Sequence, residues 1–317
     1  MFLESFKITS LAVAQVFLLG AIGYFLVKKN TLGEAGLDAL SRFTIDITLP
    51  LLIFCELIRG FNFTFYTRWW IFPLISIAIT VLGLIVGSIF TGFIRGHEHK
   101  MQFLSLISFQ NSGYLPLALV ASLLSPDQIG PMFIYLFLFL LGFNLVIFSL
   151  GVYMLASRKG DKFELSSLFS PPVIATLVTL ILILFKLNKV PDFVYKPLKT
   201  VGECTLPLAM LVVGGNLAQI NLGRIDKKAI FFMSLVKLVI LPALGILFLL
   251  KFKLPELIGL LIIIELAVPP ATTSSVIIRH YKKEDLLISQ GIFFGHILGF
   301  ITLPIFLSLY FALVMVK

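Results

Sequence analysis

The chain has 317 residues, of which 59% are hydrophobic and only 13% charged, and its mean hydropathy is +1.05. Soluble domains carry about a quarter charged residues, so the composition excludes a soluble enzyme and points to an integral membrane protein with no room for a separate soluble domain. The net charge of +9 is spread over short inter-helix loops, which reads as a topology signal and not as a nucleic-acid surface.

Apolar runs of about 20 residues recur along the chain, each enough for one helical span. The first begins at Ile8 behind Lys7 and continues to Val27 without a small-residue cleavage site, so it reads as a retained helix and not a signal peptide. Ten spans are predicted: 8–28, 36–58, 69–94, 101–123, 129–157, 168–186, 196–219, 228–251, 255–279 and 286–316. Trp69 and Trp70 open the third, where an interfacial aromatic belt explains them. Cys55 and Cys204 both fall within spans, so no disulfide framework is expected. The stretch from Arg158 to Ser167 is the longest polar connection and reads as the joint between two halves. Lys and Arg are more numerous in the loops opposite the termini, which predicts both termini outside the cytoplasm of a plasma (bacterial inner) membrane.

Two of these spans are interrupted. Ser108-Phe109-Gln110-Asn111-Ser112-Gly113-Tyr114-Leu115-Pro116 breaks the fourth, and Ala267-Val268-Pro269-Pro270-Ala271-Thr272-Thr273-Ser274-Ser275 breaks the ninth. In lipid, backbone groups freed by Gly or Pro must be satisfied by protein or by a water-filled cavity. Paired interruptions at matching places in two halves point to a transporter's binding site.

The halves repeat. Asp46-Ile47-Thr48-Leu49-Pro50 is matched in the seventh span by Glu203-Cys204-Thr205-Leu206-Pro207, and the two breaks align at nearly the same offset. Five spans per half is an odd number, so the second copy is inserted upside down. The expected fold is therefore an all-α integral membrane protein of ten transmembrane helices in two inverted five-helix repeats, 1–157 and 168–317, with helices 4 and 9 broken.

Three passages resemble the auxin efflux carrier family, which includes the plant PIN proteins and many bacterial carriers. They are Asn111-Ser112-Gly113-Tyr114-Leu115-Pro116-Leu117, Pro269-Pro270-Ala271-Thr272-Thr273 with the later Arg279-His280-Tyr281, and Ile301-Thr302-Leu303-Pro304. Lacking a long central hydrophilic loop, the chain is similar to the bacterial branch. A weaker resemblance to bile acid/sodium symporters lies in Gln110 to Gly113. The family resemblance implies a scaffold domain of helices 1, 2, 6 and 7 and a transport domain of helices 3–5 and 8–10. It also implies broken helices crossing near the midplane, elevator-type alternating access, a small organic anion as substrate, and a homodimer built through the scaffold.

The half-helices that restart after the breaks would present their N-termini to the crossing, where the dipole and uncovered N–H groups favour an anion. From Met101 to Pro126 there is no Arg or Lys. A carboxylate would therefore be held by backbone and amide donors, which fits one charge better than two. The candidate substrate residues are Gln110, Asn111, Ser112, Gly113, Tyr114, Pro116, Pro269, Pro270, Ala271, Thr272 and Thr273. For Asn111 the alternative is a helix cap or an inter-helix hydrogen bond; for the Thr272 to Ser275 hydroxyls it is capping. Candidates for ion coupling are Glu265, Asp46, Glu203, Ser274 and Ser275, because acids within a span are costly and by default functional. The coupling ion is H+, or Na+ held by oxygens of Gln110, Asn111, Glu265 and Thr272. Lys237 either snorkels from its span or meets substrate, and His296 reads as a packing residue.

The leading function is thus a secondary active carrier of a small organic anion, with a sodium-coupled symporter of the bile acid type or a non-transporting receptor as alternatives. The chain has no His-Glu-x-x-His motif, no nucleophile with an activating base and no Gly-x-x-x-x-Gly-Lys-Ser/Thr loop. A non-enzyme without organic cofactor, working in a lipid membrane without nucleic acid, is expected.

Overall fold

The computed structural model describes residues 2–156, 168–220, 222–280 and 286–315, and every regular element among them is a helix. The expected joint at Arg158 to Ser167, and Tyr281, lie outside the described residues. The first helix, α1 (Phe2–Lys28), begins ahead of the expected Ile8 and runs unbroken. Next, α2 (Glu34–Phe43) continues through a π turn at Thr44–Thr48 into α3 (Leu49–Gly60). Pro50 explains the π turn: it has no N–H for the carbonyl of Asp46, so the hydrogen-bond ladder widens there.

The third span is α4 (Ile71–Phe90), with a 3-10 turn at Thr91–Phe93. The fourth ends as α5 (His97–Ser108) and resumes as α6 (Leu115–Leu123). Then α7 (Pro126–Val146) passes through a π turn at Ile147–Gly151 into α8 (Val152–Ala156). After the joint come α9 (Pro171–Leu184), α10 (Asp192–Glu203) and α11 (Thr205–Gln219). A second proline-driven π turn, Val236–Ile240 ahead of Pro242, links α12 (Lys227–Leu235) to α13 (Leu241–Lys251). The chain ends with α14 (Glu256–Ala267), α15 (Thr273–His280) and α16 (Leu286–Leu309), the last running into a π turn at Tyr310–Val314.

Six of these helices are long and apolar enough to cross a membrane: Phe2–Lys28, Ile71–Phe93, Pro126–Leu155, Asp192–Gln219, Lys227–Lys251 and Leu286–Val314. The other four expected spans differ for physical reasons. The second is one continuous helix, but Asp38, Arg42, Asp46 and Glu56 interrupt its apolar character. The fourth and ninth stop and restart, and the sixth is only 14 residues long.

Helices α2, α3, α9, α10 and α11 pack among themselves, as do α4, α5 and α7, and as do α12, α13, α14 and α16. α1 lies against α11, α16 and α6 at once. Its seam with α11 depends on glycine: a Cβ added at Gly214 would overlap the backbone of Gly20. Without a hydrophobic effect between helices in lipid, such close backbone approach is what drives them together.

Candidate functional site

The two interruptions meet. α14 stops at Ala267 because Pro269 and Pro270 cannot continue its ladder. α5 stops at Ser108, and the extended residues after it lie antiparallel to those prolines. The Asn111 N–H donates to the Pro269 carbonyl at 2.9 Å, and the Ala271 N–H donates to the Phe109 carbonyl at 2.9 Å. Together they frame a single bridge between Gln110 and Pro270. Unpaired backbone in an apolar interior costs several kcal/mol per group, on the order of a full hydrogen bond. Each stretch therefore satisfies the other.

Side chains lock this crossing. The Ser112 hydroxyl donates to Glu265 Oε2 at 2.6 Å. Asn111 Oδ1 accepts from the Tyr114 N–H at 3.4 Å, and Asn111 Nδ2 lies 3.3 Å from His296 Nε2. His296 Nδ1 sits 2.8 Å from the Ile292 carbonyl, which can only accept, so Nδ1 carries the proton and Nε2 accepts from Asn111. Both Gln110 and Glu265 are fully buried. The free Glu265 oxygen and both polar atoms of the Gln110 amide lack hydrogen-bond partners among the described residues.

A cavity of about 160 Å³ opens against this framework. Gln110 to Tyr114 form one wall and Ala271, Thr272 and Thr273 another, so most of the expected substrate residues share one space. The first turns of α6 and α15 border it. Pro116, Pro269 and Pro270 are buried behind the wall. Ser274 is buried and Ser275 half-buried, one turn further along. A larger, almost wholly apolar cavity of about 450 Å³ lies between α1, α6, α11 and α16, with His296 as its polar margin.

Several expectations need correction. Asp46 and Glu203 are exposed on the surface of the chain and not buried. Asp46 falls in the proline-widened turn beside Ile45 and Leu49, which do line the smaller cavity. Glu203 ends a strongly amphipathic helix and pairs with Lys199 at 3.8 Å, one turn away on the same face. The π turn that holds Lys237 rotates it inward, so it does not snorkel: it is fully buried beside Glu265. His296, read as a packing residue, is buried, with its two ring nitrogens at hydrogen-bonding distance from the Ile292 carbonyl and the Asn111 amide. Asn144 and Asn216, which line the smaller cavity, were missed. An amide in the apolar run Val213-Gly214-Gly215-Asn216 was the available signal.

Comparison with known proteins accords with these features. A family described as "Membrane transport protein" matches residues 8–164 and 160–307. An uncharacterized transporter of Methanocaldococcus jannaschii is 24% identical over 294 residues, covering 88% of this chain and 91% of that protein. Another, from Methanothermobacter thermautotrophicus, is 25% identical over 305 residues, covering 92% and 95%. Protein PIN-LIKES 6 of Arabidopsis thaliana is 29% identical over 124 residues, 38% of this chain and 29% of that protein.

Proposed function

The chain belongs to the auxin efflux carrier family of membrane transport proteins, and on that premise we propose that it is a secondary active carrier of a small organic anion. The observation that carries this reading is the crossing of two interrupted helices, joined by the Gln110 and Pro270 bridge, beside a cavity whose lining includes amides and hydroxyls. The half-helices α6 and α15 direct N-terminal N–H groups toward that cavity, which favours a negative group there. Among the described residues its lining contains amides and hydroxyls and no Lys or Arg. A single carboxylate suits that lining, and a cavity of about 160 Å³ suits a compact one.

On this reading the ten helices form two inverted five-helix repeats. Helices α1 to α3 and α9 to α11 serve as scaffold, and α4 to α8 with α12 to α16 carry the crossing. The packing groups described above support that division. The apolar cavity between α1, α11, α6 and α16 lies on the seam between the two sets. On this reading one set moves against the other in alternating access of the elevator type, and the protein is a homodimer joined through the scaffold, both as the resemblance implies.

The test is a thermal-stability screen of the purified protein against carboxylates of graded size, because a solute that binds only the native state raises Tm by mass action. The expected result is a saturable rise with one compact monocarboxylate class, lost in Asn111→Ala. No response to any carboxylate would overturn the substrate assignment.

A further inference from the structure

The prolines that end α14 leave two carbonyls without their helical partners. In an uninterrupted helix the Glu265 carbonyl would accept from residue 269 and the Leu266 carbonyl from residue 270, but both are prolines and have no N–H. The Lys237 ammonium fills that place. Wholly buried, it reaches those same two oxygens, at 3.5 Å for Glu265 and 3.3 Å for Leu266.

The sequence brings it there through a second proline. Pro242 offers no N–H to the Leu238 carbonyl, and the π turn at Val236–Ile240 that results swings Lys237 toward the end of α14. The oxygens it meets are the negative end of that helix's dipole. The Glu265 carboxylate belongs to the same residue as one of those carbonyls. One of its oxygens is unpartnered, as is the Gln110 side-chain oxygen, both fully buried. Carbonyls from a broken half-helix, with a carboxylate on the same turn, are groups suited to a hard monovalent cation.

We propose that Lys237 is a tethered internal cation: its ammonium occupies the place a coupling sodium ion would take against the end of α14, so the crossing is held together, and its anion bound, without sodium. The consequence for transport, uptake that ignores sodium, rests on the carrier reading above; occupancy of the cation position by the ammonium does not. Removing the ammonium leaves the Glu265 and Leu266 carbonyls buried without the cation that meets them, a place sodium would then take. Lys237 would then be what makes the protein indifferent to sodium.

The experiment measures melting of the purified protein, with no organic anion present, in sodium chloride or choline chloride at matched ionic strength, so that general screening cancels. Wild type is expected to melt at the same temperature in both salts. Lys237→Ala and the bulk-preserving Lys237→Met are expected to melt lower in choline and to recover, saturably, in sodium. Recovery is expected to vanish when Glu265→Gln is added. A saturable, sodium-specific rise in wild type would overturn the proposal, as would a folded Lys237 variant that melts identically in both salts. If neither variant folds, the wild-type comparison decides by itself. Because no carboxylate is present, failure here leaves the carboxylate screen untouched, and failure of that screen leaves this result standing.

Discussion

Asn111 is the residue on which the proposed site turns. Its side-chain oxygen accepts from the N–H of Tyr114, just ahead of α6, and its amide nitrogen donates to His296, so the same group that would contact an anion is held in one orientation. His296 therefore acts through Asn111. His296→Ala is expected to leave the fold intact and to weaken carboxylate binding roughly fivefold, the worth of one neutral hydrogen bond of about 1 kcal/mol. Titration calorimetry against the carboxylate found in the screen would check this. His296→Gln, which can still accept from Asn111, is expected to recover most of the affinity. The sequence pointed to Asn111 because an amide beside Gly113 in an apolar span has few uses. It could not point to His296 as its partner, since the two are 185 residues apart in the chain.

At the scale of elements, proline and glycine decide where helices stop and where they touch. Pro269 and Pro270 end α14 and free the backbone that then pairs with residues after α5. Pro270→Ala restores an N–H and allows the Leu266 carbonyl a helical partner in competition with Lys237. The expected outcome is a protein that still folds but no longer shows the carboxylate-induced rise in Tm. An unchanged response would mean that the break is packing alone. The seam of α1 with α11 makes a different prediction. Gly214→Val places a branched side chain against the backbone of Gly20, and overpacking of this kind costs about 1–3 kcal/mol. The expected outcome is a lower Tm in detergent; a Tm equal to wild type would show that the helices can part without cost.

For the whole molecule, the carrier reading requires that the α6 and α16 side move relative to α1 and α11. Tyr24 on α1 and Ile297 on α16 both line the apolar cavity between them. With Cys55 and Cys204, the free cysteines, replaced by serine, a short bifunctional crosslinker between Tyr24→Cys and Ile297→Cys is expected to stop carboxylate uptake into proteoliposomes. Binding in the thermal screen should survive the crosslink. Uptake that continues at the uncrosslinked rate would rule out motion along this seam.

Composition and periodicity by themselves determined the class of this protein: an apolar, helical chain with Pro and Gly breaks can satisfy its backbone in lipid only as a helical bundle with a polar centre. The same logic marked Gln110 to Pro116 and Pro269 to Thr273 as that centre, because each backbone break is written locally in the residue types. What only the tertiary structure decided was which side chains face one another. Asp46 and Glu203 looked buried because their neighbours in sequence are apolar, yet one lies in a proline-widened turn and the other on a charged helix face, and both reach the surface. Lys237 looked able to reach the membrane surface, yet a π turn aims it inward at Glu265 and Leu266. A rotation of part of a helical turn reverses a side chain's surroundings while barely altering the hydrophobic pattern, so the partners of these charges are set by packing between distant segments and not by the residues beside them.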